Sequence, residues 1–280
     1  MSAPRAASPK LQDRLAVDDG TEIHWELRGP EDGEVVVFLN GILMTTRSWV
    51  LQRPAFEGRF RCLYHDFRGQ LLSGKPDGPY TFARHAADLA ALLDHLGIER
   101  CHLVGTSYGG EVGMLFAAEH PRRVATLTAI SCVAHLEPLL RHQVALWGVA
   151  GGDAEALFRI AAPFNYSNRF LAAESVLVEQ GAKRLAEYPP DFFTGFGRLL
   201  DCFGTLDLRG RLGEIRCPAL VLCGSEDVLK PPHYSAEIAA AIPHSESLLI
   251  PGAGHAVVIE KADTVNTAVL GFLEKHRGTA

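Results

Sequence analysis

Short, unbroken apolar runs recur along this chain, and stretches with helical spacing fill the gaps between them. Val35 to Leu39 is apolar throughout, and Arg61 to His65 is a second such run. Cys101 to Val104, Val124 to Ile130 and Cys217 to Gly224 read the same way. Runs of this length without polar alternation predict strands buried on both faces. Phe82 to Leu96 places its apolar residues at helical spacing and Gly97 ends it. Glu111 to His120 predicts a helix that stops at Pro121, and a last helix is predicted from about Val258 to about His276. Near the N-terminus, Leu15 to Val17 and Thr21 to Leu27 flank Asp18-Asp19-Gly20, an Asp-Gly hairpin signal. Strands alternating with helices predict an α/β fold with a mostly parallel central sheet flanked by helices.

The rhythm breaks between Ala134 and Asp207, where no clean strand can be read. Helical stretches are predicted there from Pro138 to Val149, Ala154 to Ala161, Phe170 to Glu187 and Asp191 to Phe203, interrupted by Pro163, Gly181, Pro189 and Pro190. The chain therefore divides into a disordered tail (1–11), a first core segment (12–133), a helical block (134–207) and a second core segment (208–280).

Composition narrows the class without naming a function. Of 280 residues, 47% are hydrophobic and 21% charged, as in an ordinary globular protein, and that length can bury a large core. The net charge of −6 comes with no basic run, so no nucleic-acid surface is expected. No apolar run approaches the roughly 20 residues needed to span a bilayer, and the first ten residues lack a signal peptide's apolar stretch. Five of the six cysteines lie in or beside apolar runs, with neither C-x-x-C nor metal-ligand spacing, so a cytoplasmic location is expected.

Chemistry enters at Gly105-Thr106-Ser107-Tyr108-Gly109, a G-x-S-x-G between a predicted strand and a predicted helix. A serine on a sharp strand-to-helix turn presents its hydroxyl to a base, and the crowded turn needs small residues two positions to either side. The helix N-terminus offers free N–H groups to a developing oxyanion. The hydroxyl needs a base, and the base needs a carboxylate to orient it. Among 12 histidines, His255 stands out, in Pro251-Gly252-Ala253-Gly254-His255 after an apolar run. Asp227 follows the strand that ends at Gly224, with the adjacent Glu226 as the fallback acid.

With these residues the chain is identified as resembling the α/β-hydrolase superfamily from about Asp13 to about His276. Gly105–Gly110 resembles the nucleophile elbow, Gly224-Ser225-Glu226-Asp227 the acid turn and Gly252-Ala253-Gly254-His255 the histidine loop, while Asp66-Phe67-Arg68-Gly69 resembles the family's D-x-R-G stretch. The resemblance implies Ser107, Asp227 and His255 as a catalytic triad in the family's chain order. It implies an oxyanion hole from the Ile42 and Tyr108 N–H groups, and a helical cap for the block 134–207. Two departures stand out: Asn40-Gly41 where His-Gly is usual, and Leu71 where a second glycine is usual. The Asn40 loop, with Thr45, Thr46 and Trp49, is loosely similar to that of 3-oxoadipate enol-lactonases and related esterases.

The expected function is a serine hydrolase that cleaves apolar carboxylic esters or lactones through an acyl-enzyme, with no metal or organic cofactor. Thioester or carbon–carbon bond hydrolysis on the same fold is the nearer alternative. A ligand-binding or signalling protein with a vestigial triad is the farther one. Asn40, Leu71, Phe164, Phe193 and Phe196 are the candidate pocket residues. Most cap aromatics are expected to pack rather than to touch substrate. Asn165-Tyr166-Ser167-Asn168-Arg169 reads either as a polar substrate contact or as a surface turn. The oligomeric state is left open.

Overall fold

A computed structural model describes residues 11–278. The N-terminal hairpin is β1 (Leu11–Ala16) and β2 (Glu22–Arg28), followed by β3 (Val35–Leu39), the short α1 (Arg53–Phe56) and β4 (Arg61–His65). Then come α2 (Phe82–His95), β5 (Cys101–Thr106), α3 (Tyr108–Glu119) and β6 (Val124–Ile130). A helical insertion follows: α4 (Pro138–Val149), α5 (Ala154–Asn165), α6 (Asn168–Ala173), α7 (Ser175–Ala186) and α8 (Pro190–Phe203). The chain closes with β7 (Ala219–Gly224), α9 (Pro232–Ala241), β8 (Ser245–Ile250), α10 (Val257–Glu260) and α11 (Ala262–Lys275).

The strands form one sheet in the order β1-β2-β4-β3-β5-β6-β7-β8. Pairing is antiparallel from β1 to β2 and from β2 to β4, and parallel from there on. The unbroken apolar runs follow from burial of both sheet faces. Along β3, Val35, Val37 and Leu39 join the core beneath α2, α3 and the insertion, while Val36 and Phe38 join a second core with Trp49, Phe56 and Tyr64. The aromatic ring of Phe38 stacks on Tyr64 at a centroid distance of 4.9 Å.

Several boundaries differ from those the sequence predicts. β1 starts at Leu11, which belongs to the sheet and not to a tail; the rest of the predicted tail lies outside the described residues. This edge strand is mostly exposed, so it lacks the apolar pattern of a buried one. α5 runs on through Pro163 to Asn165, and the Tyr166 N–H donates to the Ala162 carbonyl at 3.0 Å to close its end. The single helix expected over Phe170–Glu187 is two, broken at Glu174, because Ser167 caps a separate short helix through the Phe170 N–H. The last helix is likewise broken, at Lys261, whose backbone is non-helical.

Contacts from α8 and from the segment before α6 help to fix the insertion to the core. An added Cβ on Gly195 would lie 2.3 Å from the Gly69 carbonyl oxygen, so α8 and the 66–69 loop meet backbone to backbone. The Glu260 carboxylate accepts from the Ser167 N–H (2.9 Å), the Ser167 hydroxyl (2.5 Å) and the Gly254 N–H (3.1 Å). Within Asn165–Arg169, Asn168 and Arg169 are exposed at the surface, but Ser167 is buried and is a docking contact. It ties the insertion to the loop that carries His255.

Candidate active site

The C-terminal ends of parallel strands converge at one edge of the sheet, the usual place for a site in such folds. β5 delivers Ser107, β7 delivers Asp227, and β8 delivers His255. Ser107 sits at φ 52°, ψ −125°, a strained conformation for a residue with a side chain. Its N–H donates to the Ile130 carbonyl at 2.8 Å, which anchors the turn to β6. The turn demands close approach: a Cβ on Gly109 would lie 2.2 Å from the Leu39 carbonyl oxygen. This is why glycine follows Ser107 at two residues' distance.

His255 Nε2 lies 3.1 Å from Ser107 Oγ, and Nδ1 lies 2.8 Å from Asp227 Oδ2. Asp227 is buried, and its other oxygen, Oδ1, accepts from the N–H groups of Leu229 (3.0 Å) and Lys230 (2.7 Å). The carboxylate is thus held on one side by backbone and faces the imidazole on the other. Glu226 is exposed and makes no contact with His255 among the described residues, so the fallback acid is set aside. The N–H groups of Ile42 and Tyr108 have no hydrogen-bond partner among the described residues, and both residues border the space beside Ser107.

A cavity of about 240 Å³ opens over Ser107 and His255. Its walls come from the 41–44 loop and from the insertion, including Trp147, Phe158, Leu185 and Tyr188. The five pocket residues expected from sequence do not line it. Asn40 is fully buried: its side-chain NH₂ donates to the His65 carbonyl, Asp66 and Gln70, and its oxygen accepts from the Trp49 indole. It braces the loop that presents Ile42. Leu71, Phe164 and Phe193 pack half-buried against the core, and Phe196 is buried within it. In their place the cavity takes Phe158 and Trp147, on helix faces that a sequence pattern cannot orient. Asn165 and Tyr166 also line it.

The side chains around Ser107, Asp227 and His255 pack or pair within the protein. Tyr108 packs its ring against Phe82 and Phe203, and its hydroxyl lies 2.8 Å from His85 Nε2. Burial pushes that phenol well above its ordinary range. Burial holds His65 and His102 down at about 4, and His85, also under the Arg68 charge, at about 3. Arg68 forms a two-pronged pair with Asp88 (2.6 and 2.8 Å) and reaches Asp19 at 2.8 Å. All six cysteines are buried, and burial raises the Cys132 thiol well above its usual range, as expected of an inert side chain.

Sequence reasoning missed one pair at the centre. Lys230 Nζ donates to Ser107 Oγ at 2.9 Å and to Glu111 Oε1 at 2.5 Å, and both side chains are buried. Glu111 Oε1 also accepts from the Val133 N–H at 3.1 Å. The signals were present: Glu111 lies one helical turn beyond Ser107, and Lys230 follows Asp227 by three residues, just before Pro231-Pro232.

Fold and site together define an α/β hydrolase. The family model described as alpha/beta hydrolase fold matches residues 34–262, and the chain belongs to that family. A protein of Shigella flexneri named "Putative carbamate hydrolase RutD" is 30% identical over 258 residues, covering 89% of this chain and 96% of the relative. The crystal structure of MGS-M2, an α/β hydrolase enzyme from a Medee basin deep-sea metagenome library, is 29% identical with a TM-score of 0.89, covering 94% of this chain and 97% of that one. The enol-lactonase from Burkholderia xenovorans LB400 is 27% identical with a TM-score of 0.85, covering 94% of this chain and all of that one. With relatives named as hydrolases along nearly its whole length, the chain is a hydrolase on this fold. Among the described residues, no helix is long and apolar enough to cross a membrane.

Proposed function

We propose that the chain is a serine hydrolase that cleaves small apolar carboxylic esters or lactones through an acyl-enzyme. The observation that carries this is the hydrogen-bonded line Asp227–His255–Ser107 at the base of a largely apolar cavity. In the reaction, the Ser107 hydroxyl proton passes to His255 Nε2 while Oγ bonds to the carbonyl carbon. The carbonyl π pair moves onto oxygen, between the Ile42 and Tyr108 N–H groups. Collapse breaks the bond to the leaving oxygen, which takes the proton from His255. Water then enters on His255, and the same sequence releases the acid. Asp227 holds the imidazole in the tautomer that can accept a proton. The helical insertion acts as a cap, its Phe158 and Trp147 bounding the substrate. No residue of this scheme requires a cofactor.

The test is labelling by a fluorophosphonate, followed by turnover across esters, lactones, thioesters and carbamates. Carbamates belong in the panel because relatives carry that name. Stoichiometric labelling that disappears in Ser107→Ala, with turnover fastest on esters or lactones, supports the proposal. Absence of labelling in folded protein favours a ligand-binding role. Faster carbamate or thioester turnover would keep the mechanism and replace the substrate.

A further inference from the structure

We propose that Lys230 is a fourth catalytic residue, a cationic donor to the nucleophile oxygen that Glu111 holds in place; the proposal rests on the serine-hydrolase reading above. The ammonium touches the reacting atom directly. Its Nζ lies 2.9 Å from Ser107 Oγ, against 3.1 Å for His255 Nε2. A serine hydroxyl has one proton to give and two lone pairs to receive on. Here the proton faces His255 and a lone pair faces Lys230, so both capacities are used in one geometry. The second N–H of Lys230 goes to Glu111 Oε1 at 2.5 Å, and its Nζ sits 4.7 Å from the centre of the Phe203 ring.

The cost of this arrangement points to chemistry. Lys230 is 1% exposed and Glu111 0%. Desolvating two charges is expensive, and apolar residues of similar volume usually serve the fold as well or better. An ion pair kept beside a nucleophile therefore needs a reason other than stability. The chain also invests backbone in it: Asp227 Oδ1 accepts the Lys230 N–H at 2.7 Å, so the carboxylate that orients His255 also fixes the base of the lysine side chain. One carboxylate thereby aligns both groups that flank Oγ.

The role follows from charge. As the Ser107 proton leaves for His255, negative charge grows on Oγ, and a fixed cationic donor there stabilises it without giving up its own proton. In deacylation the bond from the acyl carbon to Oγ breaks, Oγ regains that charge before it regains its proton, and the same donor serves again. Glu111 offsets the lysine charge, which weakens repulsion between the ammonium and the imidazolium that forms on His255. Lys230 also borders a small cleft with Ile42 and Tyr108, on the side where the oxyanion would form.

The decisive experiment uses the full chain with Lys230→Met and with the double variant Lys230→Met/Glu111→Gln, whose amide oxygen can still accept the Val133 N–H. The double variant removes both charges and so leaves no unpaired one buried, should the single variant fail to fold. Thermal unfolding, the second-order rate of fluorophosphonate labelling, and kcat and KM on one ester are recorded together. The expected result is a double variant that unfolds near the wild-type temperature, labels about 10²-fold more slowly and loses kcat to the same degree, the scale of one lost donor to a developing charge. Its KM should stay within about threefold, because the cation acts on Oγ and not on substrate binding. A folded double variant that labels within about threefold of wild type overturns the role of Lys230 and leaves the hydrolase reading standing. A wild-type protein that itself neither labels nor turns over overturns both.

Discussion

Asp227→Asn offers a test in which the fold should stay and the chemistry should go. Asp227 Oδ1 accepts from two backbone N–H groups, at 3.0 and 2.7 Å. Only an oxygen can accept there, so an asparagine must keep its carbonyl oxygen on Leu229 and Lys230. Its NH₂ is then forced toward His255 Nδ1, now 2.8 Å from Oδ2. A donor in that place selects the tautomer protonated on Nε2, which cannot take the Ser107 proton. Loss of turnover should be about 10⁴-fold, equivalent to about 5.4 kcal/mol of barrier at 1.36 kcal/mol per tenfold. Stability should fall much less, by about 2 kcal/mol or under, because both backbone bonds survive and only their charge assistance is lost. Asp227→Ala should behave differently: two buried N–H groups lose their acceptor, at about 1–3 kcal/mol each. The assay is ester turnover beside thermal unfolding for Asp227→Asn, Asp227→Ala and Glu226→Gln. An Asp227→Asn enzyme that keeps more than a tenth of wild-type turnover would refute the tautomer argument. A crippled Glu226→Gln would show that the acid was misassigned.

Two further outcomes are expected. His65, His85 and His102 are held by burial at about 4, 3 and 4, below the roughly 6.5 of an unfolded histidine. The unfolded chain therefore binds more protons between those values, and the stability these residues contribute is complete above about pH 6.5 and lost as pH falls toward 4. The slope is up to about 1.4 kcal/mol per histidine per pH unit. Denaturant unfolding should show His65→Leu with a flatter fall over that window, because the substitution removes one of the titrating groups; an unchanged slope would contradict the assignment. In the insertion, Phe158→Ala should change preference along a series of ester chain lengths, because Phe158 lines the cavity. Phe192→Ala should instead lower stability by about 3–5 kcal/mol and depress activity on every ester alike, because Phe192 is fully buried. If Phe158→Ala leaves the preference unchanged, the insertion does not set substrate size.

Much of this protein is legible in its sequence because local constraints leave few choices. A strand buried on both faces must be apolar at every position, so Val35–Leu39 and Val124–Ile130 declare themselves with their boundaries intact. The strained turn at Ser107 admits only small neighbours, so Gly105 and Gly109 mark it. Asp227 and His255 can be picked out because each follows a strand end on a short loop. Tertiary structure alone decided the rest. Which face of α5 or α8 meets the cavity depends on how those helices rotate as they pack, and so Phe158 entered the cavity while Phe164, Phe193 and Phe196 did not. Asn40 was drawn inward by four hydrogen bonds to groups 9 to 30 residues away, a network with no local trace. Lys230 and Glu111 look in sequence like ordinary surface charges on a loop and a helix. They become a buried pair on Ser107 only when the ends of β5 and β7, more than a hundred residues apart, are brought together by the sheet. Periodicity encodes which residues must avoid water; it does not encode which distant charges will meet where water has been excluded.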